Sequence, residues 1–173
     1  MKKILTQLFL ALPFFASNAQ QINFIEYELE NGLHVILHQD NSAPVVSATL
    51  QFHVGSKDED DGLKGFAHLF EHMLGKETKN MDSGQWGKIY SARGGSGNAS
   101  TSVDLTNYYV TIPSNSLKLA LWRYSEIMLH PIIEQETIDI QREAVKEEKR
   151  LRYNQPYVPR FYDYLKRNFF KKH

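Results

Sequence analysis

The residues best placed to do chemistry in this chain are His68, Glu71 and His72, which lie together in the pentapeptide His-Leu-Phe-Glu-His. On a helix, side chains four residues apart share a face, so the imidazoles of His68 and His72 can bind one metal ion. Glu71 projects near the same face, where a carboxylate can act as general base on a metal-activated water without being a ligand. The pattern therefore predicts hydrolytic zinc chemistry.

The same pentapeptide is also compatible with an ordinary polar helix face that happens to carry two histidines. The other histidines give no competing metal pattern. His34, His38 and His53 fall on the polar side of predicted strands, where solvated side chains are the rule. His130 is expected at the end of a helix, where an imidazole interacts favourably with the helix dipole.

A zinc ion held by two histidines needs a third protein ligand and an open position for water. A helix predicted over about residues 134–153 offers three carboxylates, those of Glu143, Glu147 and Glu148. Spacing within this chain does not choose among them. All three are also compatible with solvated helix charges that pair with neighbouring lysines and arginines.

The elements that must position these residues begin with strands. Apolar and polar side chains alternate with period two through much of residues 22–54, which predicts half-buried strands. Asn31-Gly32 predicts a hairpin turn between the first two strands. A polar loop over residues 55–65 is then followed by a helix from about Lys64 to Leu74 that carries the pentapeptide.

A second helix is predicted to begin at Asp82 or Ser83 and to end near Gly94-Gly95, followed by strands over residues 97–103 and 107–112. Ser114 is a suitable N-cap for a helix through Leu129. Its predicted apolar stripe is Leu117, Ala120, Leu121, Tyr124 and Met128. The helix over about residues 134–153 comes next, and Phe161 to Phe170 predicts one more. This order favours an α+β fold, a mainly antiparallel sheet with helices packed on one face.

The N-terminus has the features of a secretory signal peptide over residues 1–19: Lys2 and Lys3, an apolar stretch, and small residues before a cleavage site at Ala19. A retained N-terminal anchor is the alternative. We expect an exported protein, periplasmic or secreted, whose mature part, residues 20–173, is one domain with no further membrane span. A formal charge of zero over 173 residues gives no indication of a nucleic-acid partner, and the absence of cysteine excludes disulfides.

Residues 66–73, Phe-Ala-His-Leu-Phe-Glu-His-Met, resemble the metal-binding helix of the pitrilysin, insulinase and mitochondrial processing peptidase family of inverted zinc proteases. The likeness continues at residues 54–59, 94–101, 106–109, 113–115 and 141–150, in the family's order. The resemblance therefore covers most of residues 22–158 and implies a pitrilysin-like metalloprotease domain.

The resemblance also implies roles for individual residues. The family's third ligand is a glutamate about 76 residues after the second histidine, which corresponds to Glu148 here, so one Zn²⁺ per chain would be held by His68, His72 and Glu148. Glu71 would be the general base of peptide hydrolysis. Family members often carry a second glutamate seven residues before the third ligand, and this chain has Gln141 at that position.

The family's substrate-side strand corresponds to residues 94–101. A peptide would add to it as a further strand, with Asn98, Ala99 and Ser100 as the substrate-binding residues. The substrate class implied is a peptide or an unfolded protein. Without the family, an ordinary glycine-rich turn is the alternative for Asn98 and Ala99.

Family members pair this kind of domain with a second, similar domain or subunit, and they continue where this chain stops at His173. We therefore expect the N-terminal portion of a pitrilysin-like domain, incomplete at its C-terminus and weakly active or inactive alone. One alternative is a non-catalytic subunit or inactive truncated fragment of such a peptidase. An alternative of another class is a secreted binding module with a structural metal.

Overall fold

The computed structural model describes residues 22–155 and 157–169 of the chain. They form two compact units that divide between Ala43 and Pro44. The predicted signal peptide lies outside the described residues. None of the helices within the described part is both long and apolar enough to cross a membrane.

The first unit contains an antiparallel hairpin of β1 (Ile25–Glu28) and β2 (His34–Leu37). The register pairs Glu28 with His34, and the chain reverses between them at Gly32, whose φ of +83° suits a residue without a side chain. The hairpin predicted from Asn31-Gly32 is therefore confirmed. His34 and His38 are exposed, as their polar positions predicted.

The second unit is a three-stranded antiparallel sheet in the order β3-β5-β4, together with five α-helices in the described residues. The elements in chain order are β3 (Val45–Phe52), α1 (Phe66–Leu74), α2 (Gln85–Ala92), β4 (Ser96–Thr101), β5 (Thr106–Pro113), α3 (Leu117–Leu129), α4 (Gln135–Tyr153) and α5 (Val158–Phe169). The predicted α+β class, with a mainly antiparallel sheet, is confirmed.

The core lies between the central strand β5 and the helices. Alternate β5 residues Tyr108, Val110 and Ile112 are buried, because successive side chains of a strand point to opposite faces. They form one apolar cluster with Leu50 of β3 and with residues of α2 and α3, namely Trp86, Tyr90, Ala120, Tyr124 and Ile127. The sheet is thus covered by helices on the face that these residues share.

The apolar stripe predicted for α3 is partly wrong. Ala120 and Tyr124 are buried as predicted, and Ile127 is buried as well. The other predicted members are exposed: Leu117, Leu121 and Met128. Apolar residues occur around much of this helix, so its sequence does not specify which face turns inward. A hydrogen bond from the Tyr124 hydroxyl to the Ala48 carbonyl of β3, 2.6 Å long, contributes to the observed rotation.

Helix starts also differ from the predictions. A 3₁₀ turn over residues 114–116 precedes α3, so Ser114 is not its N-cap. Helix α2 begins after Gly84, whose φ is +79°, rather than at Asp82 or Ser83. Helix α5 begins at Val158, earlier than predicted, and Phe170 lies outside the described residues.

The Glu126 side chain of α3 contributes to stability in a way that depends on pH. Its side chain is buried, and both carboxylate oxygens accept hydrogen bonds from the Asn80 amide, at 3.0 and 3.2 Å. Burial alone raises the pKa of Glu126, but hydrogen bonds outweigh burial, so the pKa lies below its ordinary value. The ionised form is therefore favoured in the folded state, and its contribution is lost as pH falls through the folded-state pKa.

We expect Glu126→Gln to lower the free energy of unfolding at pH 7. A glutamine side chain has one oxygen where Glu126 has two, so it cannot accept both hydrogen bonds from the Asn80 amide. The difference from wild type should shrink as the pH falls below the ordinary carboxyl range. Urea unfolding at a series of pH values measures this. Glu30→Gln, in an exposed turn, is the control. A difference between the Glu126 variant and wild type that does not vary with pH would contradict the assignment.

Candidate metal centre

Helix α1, which carries the pentapeptide, is held at its N-terminus by an acidic side chain from the preceding loop. Gly65 has a left-handed conformation, with φ +94°, and has no side chain to cap the helix. The Glu59 carboxylate instead accepts hydrogen bonds from the backbone N–H groups of Gly65 and Ala67, both 2.9 Å long. It thereby satisfies helix-end donors and places negative charge where the helix dipole favours it. The only sequence signal for this role was an acidic residue shortly before the helix.

The C-terminal end of α1 is held by two side chains from other elements. The Tyr108 hydroxyl of β5 donates to the backbone carbonyl of Glu71 at 3.0 Å, and Arg123 of α3 donates to the carbonyl of Gly75 at 3.1 Å. Burial, and then the charge of Glu71, raises the pKa of Tyr108, so its hydroxyl remains a donor. The Arg123 guanidinium also lies over the Trp86 ring, 4.7 Å from its centroid. These contacts join the last turn of α1 to the sheet and to α3.

The two histidines of α1 lie one above the other, as their spacing predicted. Their ring centroids are 4.7 Å apart and their planes are perpendicular. Glu148 of α4 faces both rings: its Oε2 atom is 3.4 Å from Nε2 of His68 and 3.5 Å from Nε2 of His72. All three side chains are about one quarter to one third exposed, at 26% for each histidine and 31% for Glu148.

These distances fit a divalent metal with nitrogen and oxygen ligands. Atoms that lie 2.0–2.1 Å from a tetrahedral zinc ion are separated from one another by about 3.4 Å. The two nitrogen–oxygen distances are close to that value, and the three ligand atoms all lie within 4.8 Å of one another. Two imidazoles and one carboxylate are also the donor set of hydrolytic zinc sites, which keep a position open for water.

The other two carboxylates considered as third ligands point elsewhere. Glu143 pairs with Lys146 at 2.7 Å, and Glu147 pairs with Arg150 at 3.0 Å. The structure therefore brings Glu148, and neither of these, to the histidine pair. The Oε1 atom of Glu148 is in contact with the Arg152 guanidinium, one turn further along α4.

Glu71 lies beside the histidines with its side chain buried. Its Oε2 atom accepts a hydrogen bond of 2.5 Å from the hydroxyl of Thr101, at the end of β4. The Thr101 hydroxyl is itself 3.3 Å from the hydroxyl of Thr106, which donates to the Val54 carbonyl at 2.9 Å. The Thr101 hydroxyl thus orients the carboxylate. Sequence reasoning did not single out either threonine, because they are close to α1 only through the sheet.

Gln141 of α4 lies behind His72. Its side chain is buried, and its Oε1 atom is 3.3 Å from Nδ1 of His72, on the opposite side of the ring from Glu148. A glutamine two turns before Glu148 on the same helix shares its face, so one helix supplies both neighbours of the His72 ring.

The residues predicted to bind substrate lie on β4. Asn98, Ala99 and Ser100 pair with Tyr109, Tyr108 and Asn107 of β5, and within the described residues β4 is an edge strand of its sheet. The Asn98 side chain accepts a hydrogen bond from the Ala99 N–H at 2.9 Å. The turn alternative for Asn98 and Ala99 is wrong, since both lie in a strand. The part of Asn98, Ala99 and Ser100 in substrate binding stays a prediction.

Comparison with known proteins gives one family. The sequence profile of the insulinase family, peptidase family M16, matches residues 34–173. Zinc protease PqqE of Helicobacter pylori is 35% identical over 125 residues, which are 72% of this chain and 28% of that protein. Human insulin-degrading enzyme is 34% identical over 122 residues, which are 70% of this chain and 12% of that enzyme.

Solved structures agree with these relatives. A protease from Helicobacter pylori superposes with a TM-score of 0.72 at 32% identity, covering 76% of this chain and 32% of that one. Pitrilysin superposes with a TM-score of 0.68 at 26% identity, covering 76% of this chain and 14% of pitrilysin. The chain thus spans less than a third of the length of each of these proteins.

Proposed function

Since this chain belongs to the insulinase family of peptidases, family M16, we propose that it forms the metal-binding part of a zinc-dependent endopeptidase that cleaves peptides or unfolded proteins. The observation that carries the proposal is the convergence of Glu148 on the two histidines of α1, with Glu71 beside them. Family membership supports zinc proteolysis in general, and the geometry supports the particular residues.

In this proposal His68, His72 and Glu148 hold one zinc ion per chain. Zinc in such a site lowers the pKa of a bound water to near neutrality and polarises a carbonyl oxygen. The contact between Glu148 and Arg152 holds the carboxylate on the face of α4 that meets α1. The described residues supply three ligands to this cluster, which leaves a position for water and favours catalysis over a closed structural site.

Glu71 is assigned as general base. Thr101 donates to Oε2, so Oε1 is the atom that we expect to take a proton from the attacking water and return it to the leaving amine. The burial of Glu71 excludes bulk water around the carboxylate, and the hydrogen bond from Thr101 fixes its direction before substrate arrives. A base that is already oriented needs little rearrangement to reach its reacting geometry.

We propose that substrate binds extended along the edge of β4. Thr101 at the end of β4 contacts Glu71, so a peptide paired with Asn98, Ala99 and Ser100 would run past the base. Main-chain hydrogen bonds to an edge strand do not depend on the side chains of the peptide, so many sequences can bind. This suits a peptidase that acts on unfolded chains. Exchanging Ala99, whose N–H bonds to the Asn98 side chain rather than to β5, for proline would remove a backbone donor on this edge and test the pairing.

A second homologous domain or subunit is part of the proposal. The chain matches 28% of the Helicobacter protease and 12% of the human enzyme, and we propose that a second domain or subunit supplies further substrate-binding groups. Many large apolar side chains of the described residues are exposed, including Leu121, Leu129 and Phe161 at 54%, 68% and 59%. Such a surface is typical of a contact face.

We also propose export to the periplasm or beyond, which sequencing of the mature N-terminus would test.

The proposed function is tested by zinc content together with chelator-reversible cleavage of an unstructured peptide. Stoichiometric zinc and cleavage that stops with chelator and returns with zinc support the peptidase. Zinc without cleavage, even when a second domain or subunit is supplied, favours the non-catalytic alternative. A bound metal that has no exchangeable water ligand favours the structural-metal alternative.

We expect this chain alone to cleave peptides weakly or not at all, and to associate in solution. Orientation of the reacting groups can supply about 7–11 kcal/mol of barrier lowering, and a partial site cannot orient a peptide carbonyl fully. Light scattering and a peptidase assay on the isolated chain measure both expectations. A monodisperse monomer with vigorous, chelator-sensitive cleavage would contradict them and make the chain a self-sufficient protease.

A further inference from the structure

We propose that Gln141 is a positioning residue for the metal site: its neutral side-chain oxygen holds the His72 ring in the tautomer that presents Nε2 to zinc. The inference rests on the zinc site proposed above and extends it to a residue that is not a ligand. Gln141 is 5% exposed, and its Oε1 atom is 3.3 Å from Nδ1 of His72.

The direction of the hydrogen bond between His72 and Gln141 follows from what Nε2 faces on the other side of the ring. Nε2 of His72 faces Oε2 of Glu148 at 3.5 Å, where the metal would bind, so Nε2 must present its lone pair. A neutral imidazole with a free Nε2 carries its proton on Nδ1. An Nδ1–H donor needs an acceptor, so the amide oxygen of Gln141, rather than its NH₂ group, faces the ring.

The support for the two histidines is unequal. Within the described part of the chain, a side-chain hydrogen bond reaches Nδ1 of His72, and the structure records none to Nδ1 of His68. Gln141 and Glu148 both come from α4, so this helix fixes both nitrogens of the His72 ring. Loss of Gln141 should therefore disturb His72 and leave His68 largely as it is.

Because the Gln141 side chain is neutral, it also affects the net charge of the metal centre. With Glu148 as the sole carboxylate among the three ligands, a bound Zn²⁺ leaves the ligand set with a net positive charge. A carboxylate at position 141 would accept the same hydrogen bond and attract the metal through a medium of low dielectric. Without metal, the same buried carboxylate would be costly. Gln141 thus gives orientation without a second buried negative charge.

The first test is zinc affinity, measured by competition with a chromophoric chelator. Gln141→Leu and Gln141→Met should weaken zinc binding about 10–100-fold, the usual cost of losing a residue that supports a ligand. Gln141→Glu should strengthen zinc binding relative to wild type. Gln135→Leu, an exposed position at the start of the same helix, should leave affinity unchanged. Zinc affinity that is equal in wild type and in both apolar variants would overturn the proposal.

The second test reads the tautomer directly by ¹⁵N NMR of the histidine rings in the zinc-bound chain. We expect an Nδ1-protonated ring with a slowly exchanging proton at His72. Gln141→Leu and Gln141→Met should lose the slow exchange at His72 while His68 keeps its signal. An unchanged Nδ1 proton in both variants would overturn the role of Gln141. Two apolar variants are used so that a folding defect in one, detected by circular dichroism, does not remove the test.

The two proposals fail in different ways. If wild type binds zinc but is indifferent to substitution at Gln141, the positioning role is wrong and the zinc site stands. If wild type does not bind zinc while it remains folded, the proposed site is wrong, and the role of Gln141 fails with it.

Discussion

Replacement of Glu71 by Gln is expected to reduce peptide hydrolysis by about 10²–10⁴-fold, the range typical for loss of a general base, with little change in zinc content. Gln has nearly the size of Glu and keeps an oxygen for the hydrogen bond from Thr101, so the side chain should stay in place. It cannot accept a proton at neutral pH. The expected defect is therefore chemical rather than structural.

The measurement pairs a peptidase assay with metal analysis on the same preparation. Activity is assayed in a form in which wild type cleaves, with a second domain or subunit supplied if the chain alone does not. Glu77→Gln, just after α1, is a matched control that should keep activity. Loss of zinc together with activity in Glu71→Gln would show that Glu71 is a ligand, and full activity would remove it from the mechanism.

Replacement of His68 by Ala is expected to have the opposite signature, the loss of zinc itself. Removing one of three protein ligands takes away a coordinate bond, so the affinity should fall by more than the about 10–100-fold caused by losing a supporting residue. Glu148→Gln should act in the same direction, because its Oε2 atom faces both rings. Peptidase activity should be lost in both variants as a consequence.

Zinc titration by isothermal calorimetry or chelator competition measures this effect on the chain as it is. His53→Ala removes an exposed histidine and should leave zinc affinity at the wild-type value. Glu147→Gln, whose wild-type carboxylate pairs with Arg150, should do the same. If Glu147→Gln loses zinc and Glu148→Gln keeps it, the assignment of the third ligand is wrong.

Local spacing was sufficient for the parts of the site that lie on one element. His68, Glu71 and His72 occupy one helix, where four-residue spacing decides which side chains are neighbours, and the structure places them as predicted. The hairpin at Asn31-Gly32 and the alternation along β3 and β5 are local in the same sense. Each depends on backbone geometry that a short stretch of residues determines by itself.

The choice of the third metal ligand among three carboxylates did not follow from local spacing. Within this chain the spacing left Glu143, Glu147 and Glu148 equivalent, and a family resemblance was needed to prefer the last. The structure separates them because α4 packs on α1 through one face only, which carries Gln141 and Glu148. The other two glutamates lie off that face and pair with cations of their own helix.

The contacts that hold the centre in place were decided by tertiary structure alone. Thr101, Tyr108 and Glu59 reach α1 from a strand end, a central strand and a loop, at sequence separations that no helical or strand period relates. The inward face of α3 was likewise settled by the sheet, since apolar residues occur around much of that helix. Sequence periodicity specifies which side chains of one element point the same way, whereas the packing of elements against one another decides what those side chains meet.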